Sequence, residues 1–298
     1  MIELIISAAV LASMYGLVAI GISFTWASIG MLNLAQGFIF TAGGYAAYLY
    51  AQTLTNLGIT EGPVMSIGLL VSGMAGSAIA GLFVGSIAFL PLQDRANFRT
   101  RGLIATLAIS LIGTQLWLIF FGPQSKPLPP IFGTGRIEIG SGGVSYSQLG
   151  AIVIATLMLT AVIMWMRSSR AGLQMRAMMM NPLGAAVVGV SVRVTGMRVL
   201  AISGALTGLA SVMLAQTFFV SPTSGVQPLT VGLIISLAGG LGSIPGTVIA
   251  AAIVGLAEAL TARYLAQSLV PFVLFGIVVL ILIFRPRGLG GLLEDVRE

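Results

Sequence analysis

The chain has 298 residues, a formal net charge of +6, and 7 % charged side chains against 57 % hydrophobic ones. Soluble domains carry roughly 25 % charged residues, so no segment is polar enough to fold as one. With no cysteine and no histidine, disulfides, Cys or His metal sites, haem ligation and Ser-His triads are excluded; the only lysine, Lys126, precedes Pro127, which leaves no G-x-x-x-x-G-K-[ST] phosphate loop.

The few charges are segregated: residues 4–60, 62–93, 102–125, 139–166, 199–257 and 264–284 carry none. About 20 apolar residues cross a bilayer, so each run holds one span or more. The chain reads as an all-α polytopic membrane protein of about 8–10 transmembrane helices. Its N-terminus, "MIELIISAAVLASMYGLVAIG", has an acidic start at Glu3, no basic leader and too long an apolar stretch for a cleaved signal. It reads as a retained first span. Nine spans are expected, at 4–23, 31–52, 64–90, 102–121, 148–166, 198–219, a short 227–240, 244–262 and 268–284, and nothing divides residues 1–298 into separate domains.

Arginine sets the sides. Arg95, Arg99 and Arg101 lie in one connection, Arg167, Arg170, Arg176, Arg193 and Arg198 in another, and Arg285, Arg287 and Arg297 in the tail. By the positive-inside rule these face the cytoplasm. The loop 122–147, with Lys126 and Arg136 offset by Glu138, then faces outside. Nine crossings place the N-terminus outside and the C-terminus inside. The basic balance is a topology signal and does not point to nucleic acid. Trp26 and Trp165 fall at span ends, as interfacial anchors do.

Two segments echo each other. "GMLNLAQGFIFTAGGYAAYL" (30–49) and "GGLGSIPGTVIAAAIVGLAEAL" (239–260) both have a glycine-flanked polar entry followed by small residues. Interrupted segments in both halves point to inverted repeats; close helix packing explains small residues equally well. Pro245 is more informative, because it removes a backbone donor where lipid supplies no substitute. The stretch 239–246 is expected to be a tight turn at the cytoplasmic rim, or a helix break beside a pathway.

Residues 167–198 are long and partly apolar for a connection, yet the run 177–192 is too short to span. Asn181 suits an N-cap and Pro182 a first helical position. A short helix is expected from Pro182 to about Gly189, with Leu183, Val187 and Val190 as one apolar stripe. Its small residues Gly184, Ala185, Ala186 and Gly189 suit seating against another protein.

Three blocks carry a resemblance over essentially the whole chain: "GMLNLAQGFIFTAGGYAAY", "SRAGLQMRAMMMNPLGAAVVGVSVRV" and "SLAGGLGSIPGTVIAAAIVGLAEAL". They resemble the permease subunits of branched-chain amino acid ABC importers, within a wider family that includes ribose and urea permeases. The resemblance implies a subunit with no covalent chemistry. It implies a second permease subunit, identical or related, a soluble substrate-binding protein outside, and two cytoplasmic ATPase subunits that bind ATP and Mg; this chain would hold no cofactor and no metal. It is expected in the inner membrane of a bacterium. Arg170, Ala171, Gly172, Arg176, Ala177, Pro182, Ala185, Gly189 and Val190 would belong to a coupling loop that meets the ATPase. Gly239, Gly240, Gly242, Ser243, Pro245 and Gly246 would form the break before the penultimate span. Two departures stand out: Gln36 occupies a position where the family often has His, and "MMMNPLG" lacks the acidic residues common there.

Candidate pathway residues are Asn33, Gln36, Thr41, Ser203, Thr207 and Ser236, each of which could instead satisfy a backbone group. Glu258 is the one acid deep in an apolar run, and such a residue is a functional candidate. Arg263 lies five residues on, and structural pairing at the interface is the favoured role. The expected solute is a branched-chain or other aliphatic amino acid, or an amide or urea-like compound. The alternatives are a self-contained secondary transporter or channel, which would want a relay of membrane acids, and an intramembrane enzyme, for which paired carboxylates are missing.

Overall fold

The computed structural model describes residues 2–133, 135–139 and 142–290; Arg297 of the expected basic tail lies outside them. In chain order the helices are α1 (Ile2–Ile29), α2 (Gln36–Asn56), α3 (Pro63–Val84), α4 (Phe98–Phe121), α5 (Tyr146–Ser168), α6 (Arg170–Met180), α7 (Pro182–Val187), α8 (Val192–Phe218), α9 (Val226–Gly239), α10 (Ile244–Tyr264) and α11 (Val270–Phe284). A π-helical turn, Gly85–Phe89, prolongs α3. Strands β1 (Arg136–Ile139) and β2 (Gly142–Ser145) form a small antiparallel ribbon within the 122–147 loop, which the sequence reading left unstructured.

Each expected span contains a helix. Seven of the described helical segments are long and apolar enough to cross a membrane: α1, α3 with its π-helical turn, α4, α5, α8, α10, and α11 together with the short turn Gln267–Leu269 that precedes it. The remaining two depend on their neighbours. With 14 residues, α9 is about 21 Å long, short of a hydrocarbon core of about 30 Å. The more polar α2 starts at Gln36, not at residue 31, because Met31–Ala35 is non-helical.

Local chemistry sets several starts. Ser145 caps α5 with a reciprocal capping box to Gln148. Ser169, Asn181, Ser191 and Ser243 accept the Gly172, Gly184, Val194 and Gly246 N–H groups at the starts of α6, α7, α8 and α10. Each satisfies a donor that the helix itself leaves open.

At the centre, α1 and α8 are the most buried spans. α10 runs antiparallel along α1, with Gly255 against Ala8 and Ala12 and Gly16 against Ala251. α3 runs antiparallel along α8 in the same way, with Gly73 against Gly208 and Gly81 against Leu200. α9 lies parallel to α1, and α2 parallel to α8. Exchanging α1 with α8, α2 with α9 and α3 with α10 therefore reproduces the packing: two inverted three-helix units. The correspondence differs from the one read off the sequence. α2 matches α9, not the segment 239–260, because a shared glycine-rich entry is a local likeness and packing partners are not. α4, α5 and α11 stay peripheral and expose apolar faces, as lipid-facing helices do.

The described arginines of the three basic segments gather at the end where α1 finishes. Arg99 stacks over Trp26 at 6.0 Å, Arg193 pairs with Asp94 at 2.9 Å, and Arg198 donates to Gln174 at 3.2 Å. At the other end Arg263 meets Glu3 at 3.5 Å, and the Lys126 and Val220 backbones pair.

Candidate functional site

Four of the candidate pathway residues form one closed knot. Asn33 Oδ1 accepts the Ala35 N–H at 3.0 Å, and its amide donates to Gln36 Oε1 at 3.2 Å. Gln36 Nε2 donates to Ser203 Oγ at 3.0 Å and to Thr207 Oγ1. Ser203 Oγ in turn donates to the Gly21 carbonyl at 2.8 Å, and Thr207 Oγ1 to the Ser203 carbonyl at 2.9 Å. All four side chains are buried. An irregular segment inside a bilayer must have its polar groups satisfied by protein; this knot does so for the Met31–Ala35 break and binds the start of α2 to α1 and α8. Its hydrogen-bonding capacity is largely used internally.

Thr41 bonds only within its own helix, to the Gly37 carbonyl at 3.0 Å. Ser236 joins a second layer: the Ser23 hydroxyl lies 3.1 Å from Ser236 Oγ and 3.0 Å from Thr247 Oγ1, tying α1 to α9 and α10.

α2 and α9 begin against each other. A Cβ on Gly37 would lie 2.9 Å from the Gly225 carbonyl oxygen, and one on Gly225 would lie 2.8 Å from Thr41 Oγ1. Two broken helices thus start backbone to backbone inside the bundle, the arrangement that places transporter sites near the membrane midplane.

Beside them lies a cavity of about 200 Å³, lined by Tyr15, Phe40, Leu214, Ser221, Thr223 and Gln227 among others. Past Thr223 and Gln227 it adjoins a groove between α9 and α11. Gln227 Nε2 donates to the Tyr15 hydroxyl at 3.2 Å, and Tyr15 interacts with the Glu258 carboxyl. Glu258 is 2 % exposed, and its Oε2 has no hydrogen-bond partner. The expected pairing of Glu258 with Arg263 is corrected: Arg263 reaches Glu3, while Glu258 points into the bundle towards α1. Five residues is about 500° of helix at 3.6 residues per turn, so the two side chains leave α10 on different faces. Among the described residues no group of three or more acidic side chains gathers that could hold a metal.

The stretch 239–246 is a tight turn at the arginine-rich end. Gly240 and Gly242 adopt φ of 89° and 91°, a region that favours glycine. Pro245 sits in the first turn of α10, where a missing N–H costs nothing. The tail then folds back on the turn. Leu289 N–H donates to the Ala238 carbonyl at 2.9 Å and Gly290 N–H to the Gly239 carbonyl at 2.8 Å, satisfying the C-terminal carbonyls of α9. Gly246 lies so close to Gly239 and Gly290 that a Cβ there has no room.

At the same end, the segment expected as a loop over 167–198 is shorter, because α5 runs to Ser168 and α8 starts at Val192; an unforeseen helix, α6, fills much of it. Gly172 rests on the Met166 backbone, and Arg176 donates to the Arg167 carbonyl at 3.3 Å, so part of the set Arg170, Ala171, Gly172, Arg176 and Ala177 holds α6 to α5. The start at Pro182 with its Asn181 cap is as read from the sequence, and Gly189 at φ 88° stops the chain after α7. The exposed face is different. Ala185 is 4 % exposed and faces inward, whereas Leu183 and Val187 are more than four-fifths exposed. Of the small residues only Ala185 is covered; Gly184, Ala186 and Gly189 are exposed beside the large apolar Leu183 and Val187.

Residues 4–284 match the family model described as "Branched-chain amino acid transport system / permease component". The chain belongs to this family. This permease is 27 % identical over 286 residues to the high-affinity branched-chain amino acid transport system permease protein LivH of Escherichia coli K12, covering 94 % of this chain and 92 % of that one. It is 25 % identical over 295 residues to BraD, the corresponding permease protein of Pseudomonas aeruginosa, with 97 % and 95 % covered. It is 29 % identical over 293 residues to the probable branched-chain amino acid transport permease protein LivH of Methanocaldococcus jannaschii, with 92 % and 88 % covered.

The sequence reading of this permease missed Tyr15, Gln227 and the hydroxyls of the "SPTSG" segment, 221–225. That segment is a turn signal between two apolar runs and was passed over as a connection.

Proposed function

We propose that the chain is one half of the translocation path of a binding-protein-dependent importer of branched-chain or other aliphatic amino acids. The match of residues 4–284 to a transport-system permease family carries this reading. The cavity beside the meeting point of two broken helices supports it, being small and of mixed character, which suits a solute with one apolar and one polar end. A soluble binding protein delivers the solute from outside, a second permease subunit completes the path, and two ATPase subunits supply ATP hydrolysis from the cytoplasm. The protein lies in a bacterial inner membrane with its N-terminus outside and its arginine-rich end inside, as the positive-inside rule directs. At that end Leu183 and Val187 of α7 form the ATPase-docking face, with Gly189 and Val190 following them in the chain.

Coupling requires that the ATPase contacts differ between two states of the membrane part. The test is uptake of radiolabelled L-leucine in cells lacking their own branched-chain systems, with this permease co-expressed with the ATPase, binding-protein and second permease subunits of a branched-chain amino acid importer. Leucine uptake that requires this chain and stops with an ATPase-dead partner is expected. Uptake indifferent to the ATPase would favour a self-contained transporter.

A further inference from the structure

We propose that residues 123–132 form the latch of an outer gate: they clamp Val220 in place, and lifting them lets the strained Phe219 relax and opens the cavity to the face away from the arginine-rich end. The inference deepens the proposed import function, in which that face receives the solute, and rests on that reading for its direction.

Composition makes this segment a lever. "PQSKPLPPIF" holds Pro123, Pro127, Pro129 and Pro130, and proline fixes φ, so the stretch is stiff. It runs between Gly122 and Gly133, whose φ values of 74° and 76° favour glycine, and nothing lies within 4 Å of a Cβ added at either. A stiff strap between two unobstructed glycine turns can pivot as one piece. Lys126 and Val220 exchange both backbone hydrogen bonds, at 2.7 and 2.9 Å. The Ile131 N–H donates to Gln216 Oε1 at 3.2 Å, and the Ile131 carbonyl accepts from Ser66 Oγ at 2.7 Å. Leu128 and Ile131 are buried, and Lys126 Nζ lies 6.0 Å from the centre of the Tyr48 ring. The strap thus rests on α2, α3 and the end of α8 together.

What the strap clamps is a wall of the cavity, which Phe218, Phe219, Val220 and Ser221 all line. Phe219 has φ 60° and ψ 171°, a conformation open to glycine and costly for a residue with a Cβ. Such a residue stays strained only where its surroundings fix it. The Phe219 ring is half-exposed, so the fixing comes from the backbone on either side. On one side its N–H closes the last turn of α8 on the Ala215 carbonyl at 3.2 Å. On the other, Val220 is 1 % exposed, held by Lys126, and packed so closely on Gly44 of α2 that a Cβ there would come within 3.0 Å of it. Freed of Lys126, the backbone at 219–221 has an unstrained conformation to fall into. The wall is then a two-state element that the strap biases.

The native chain has no cysteine, so a single Ser221→Cys reports the state of the wall. The assembled importer, in right-side-out membrane vesicles without ATP, is labelled with a membrane-impermeant methanethiosulfonate reagent added outside. Gln216→Leu in this background takes away the acceptor of the Ile131 N–H. It should loosen the strap and raise the labelling rate at least about tenfold. Two further variants separate strain from bulk. Phe219→Ala and Phe219→Gly both lack the ring and differ in the Cβ that strains the latched state. The glycine variant should be labelled about three- to tenfold more slowly than the alanine one. Copurification of the ATPase with each variant shows an intact fold; where Gln216→Leu does not copurify, the Phe219 pair decides alone. From inside-out vesicles the Gln216→Leu rate should match its parent. An unchanged rate from outside in a folded Gln216→Leu overturns the latch. Equal rates in the Phe219 pair, or faster labelling of the glycine variant, overturn strain as its spring. A rise seen from the inside as well, or only there, overturns an outer gate. No leucine uptake by the wild-type importer sinks the import reading itself; uptake with these labelling rates unmoved sinks only the latch.

Discussion

Gly290 lies on Gly239: its N–H donates to the Gly239 carbonyl at 2.8 Å, and Gly246 is pressed between the two backbones. Three strands of backbone meet where no side chain fits. Gly246→Ala should therefore destabilise the protein by about 1–3 kcal/mol, the usual cost of overpacking. Gly276→Ala in α11, where nothing lies within 4 Å of a new Cβ, should be neutral. Thermal unfolding in detergent compares them; equal midpoints for the two variants contradict the clasp.

The Gln36 knot predicts a contrast between two buried polar residues of one helix. Gln36→Leu leaves Asn33, Ser203 and Thr207 without their shared partner, so it should cost about 1–3 kcal/mol and lower the amount of folded protein. Thr41→Val removes only a bond to the carbonyl four residues back in its own helix, and should stay within about 0.5 kcal/mol of wild type. Folded yield by fluorescence size-exclusion chromatography ranks the two, and a Thr41→Val as damaging as Gln36→Leu would mean that the knot is not the feature that holds α2.

For α7, Leu183→Asp and Val187→Asp should leave insertion and folding unchanged and abolish leucine uptake, with loss of the ATPase on purification. Ala185→Trp should act differently, by disrupting the fold, because Ala185 faces inward. Single cysteines placed along 181–190 and crosslinked to the ATPase read this directly. Crosslinks found only from 91–101 would move the coupling contact to the α3–α4 connection.

The Arg193–Asp94 pair, 2.9 Å apart, is about two-thirds exposed on the arginine side and three-quarters on the aspartate side. Such pairs contribute about 0–1 kcal/mol and weaken with salt. Asp94→Asn should accordingly leave thermal stability unchanged within about 1 kcal/mol at 0.15 M salt. A larger loss would show that the pair does more than sit on a solvated rim.

What could be read in advance was local. Asn181, Pro182 and Gly189 specify α7 by capping chemistry that acts within four residues, so start and stop were legible. Gly240, Gly242 and Pro245 likewise announce a turn. The Asn33 side chain caps its own loop at Ala35, a local signal that "MLNLA" hid among apolar residues. Glu258 was misread for the opposite reason. Its neighbour in sequence is Arg263, but its neighbour in space is Tyr15, more than 200 residues earlier, and no pattern on one helix reports a partner on another. For α7 only the burial of Ala185 was not legible: which side of a six-residue helix is covered depends on the body it rests against.

The Ser23 hydroxyl sits between Ser236 and Thr247, 213 and 224 residues further along the chain. During synthesis α1 enters the bilayer first, carrying a serine whose lasting partners have not yet been translated. It waits with that group satisfied by its own turn or by water while most of the chain is threaded. Loop closure over so many residues makes assembly of the centre a late and slow event. Premature stops before α9 should thus yield inserted but uncommitted helices, which quality-control proteases remove, and the stability of the first helix is decided by the last third of the gene.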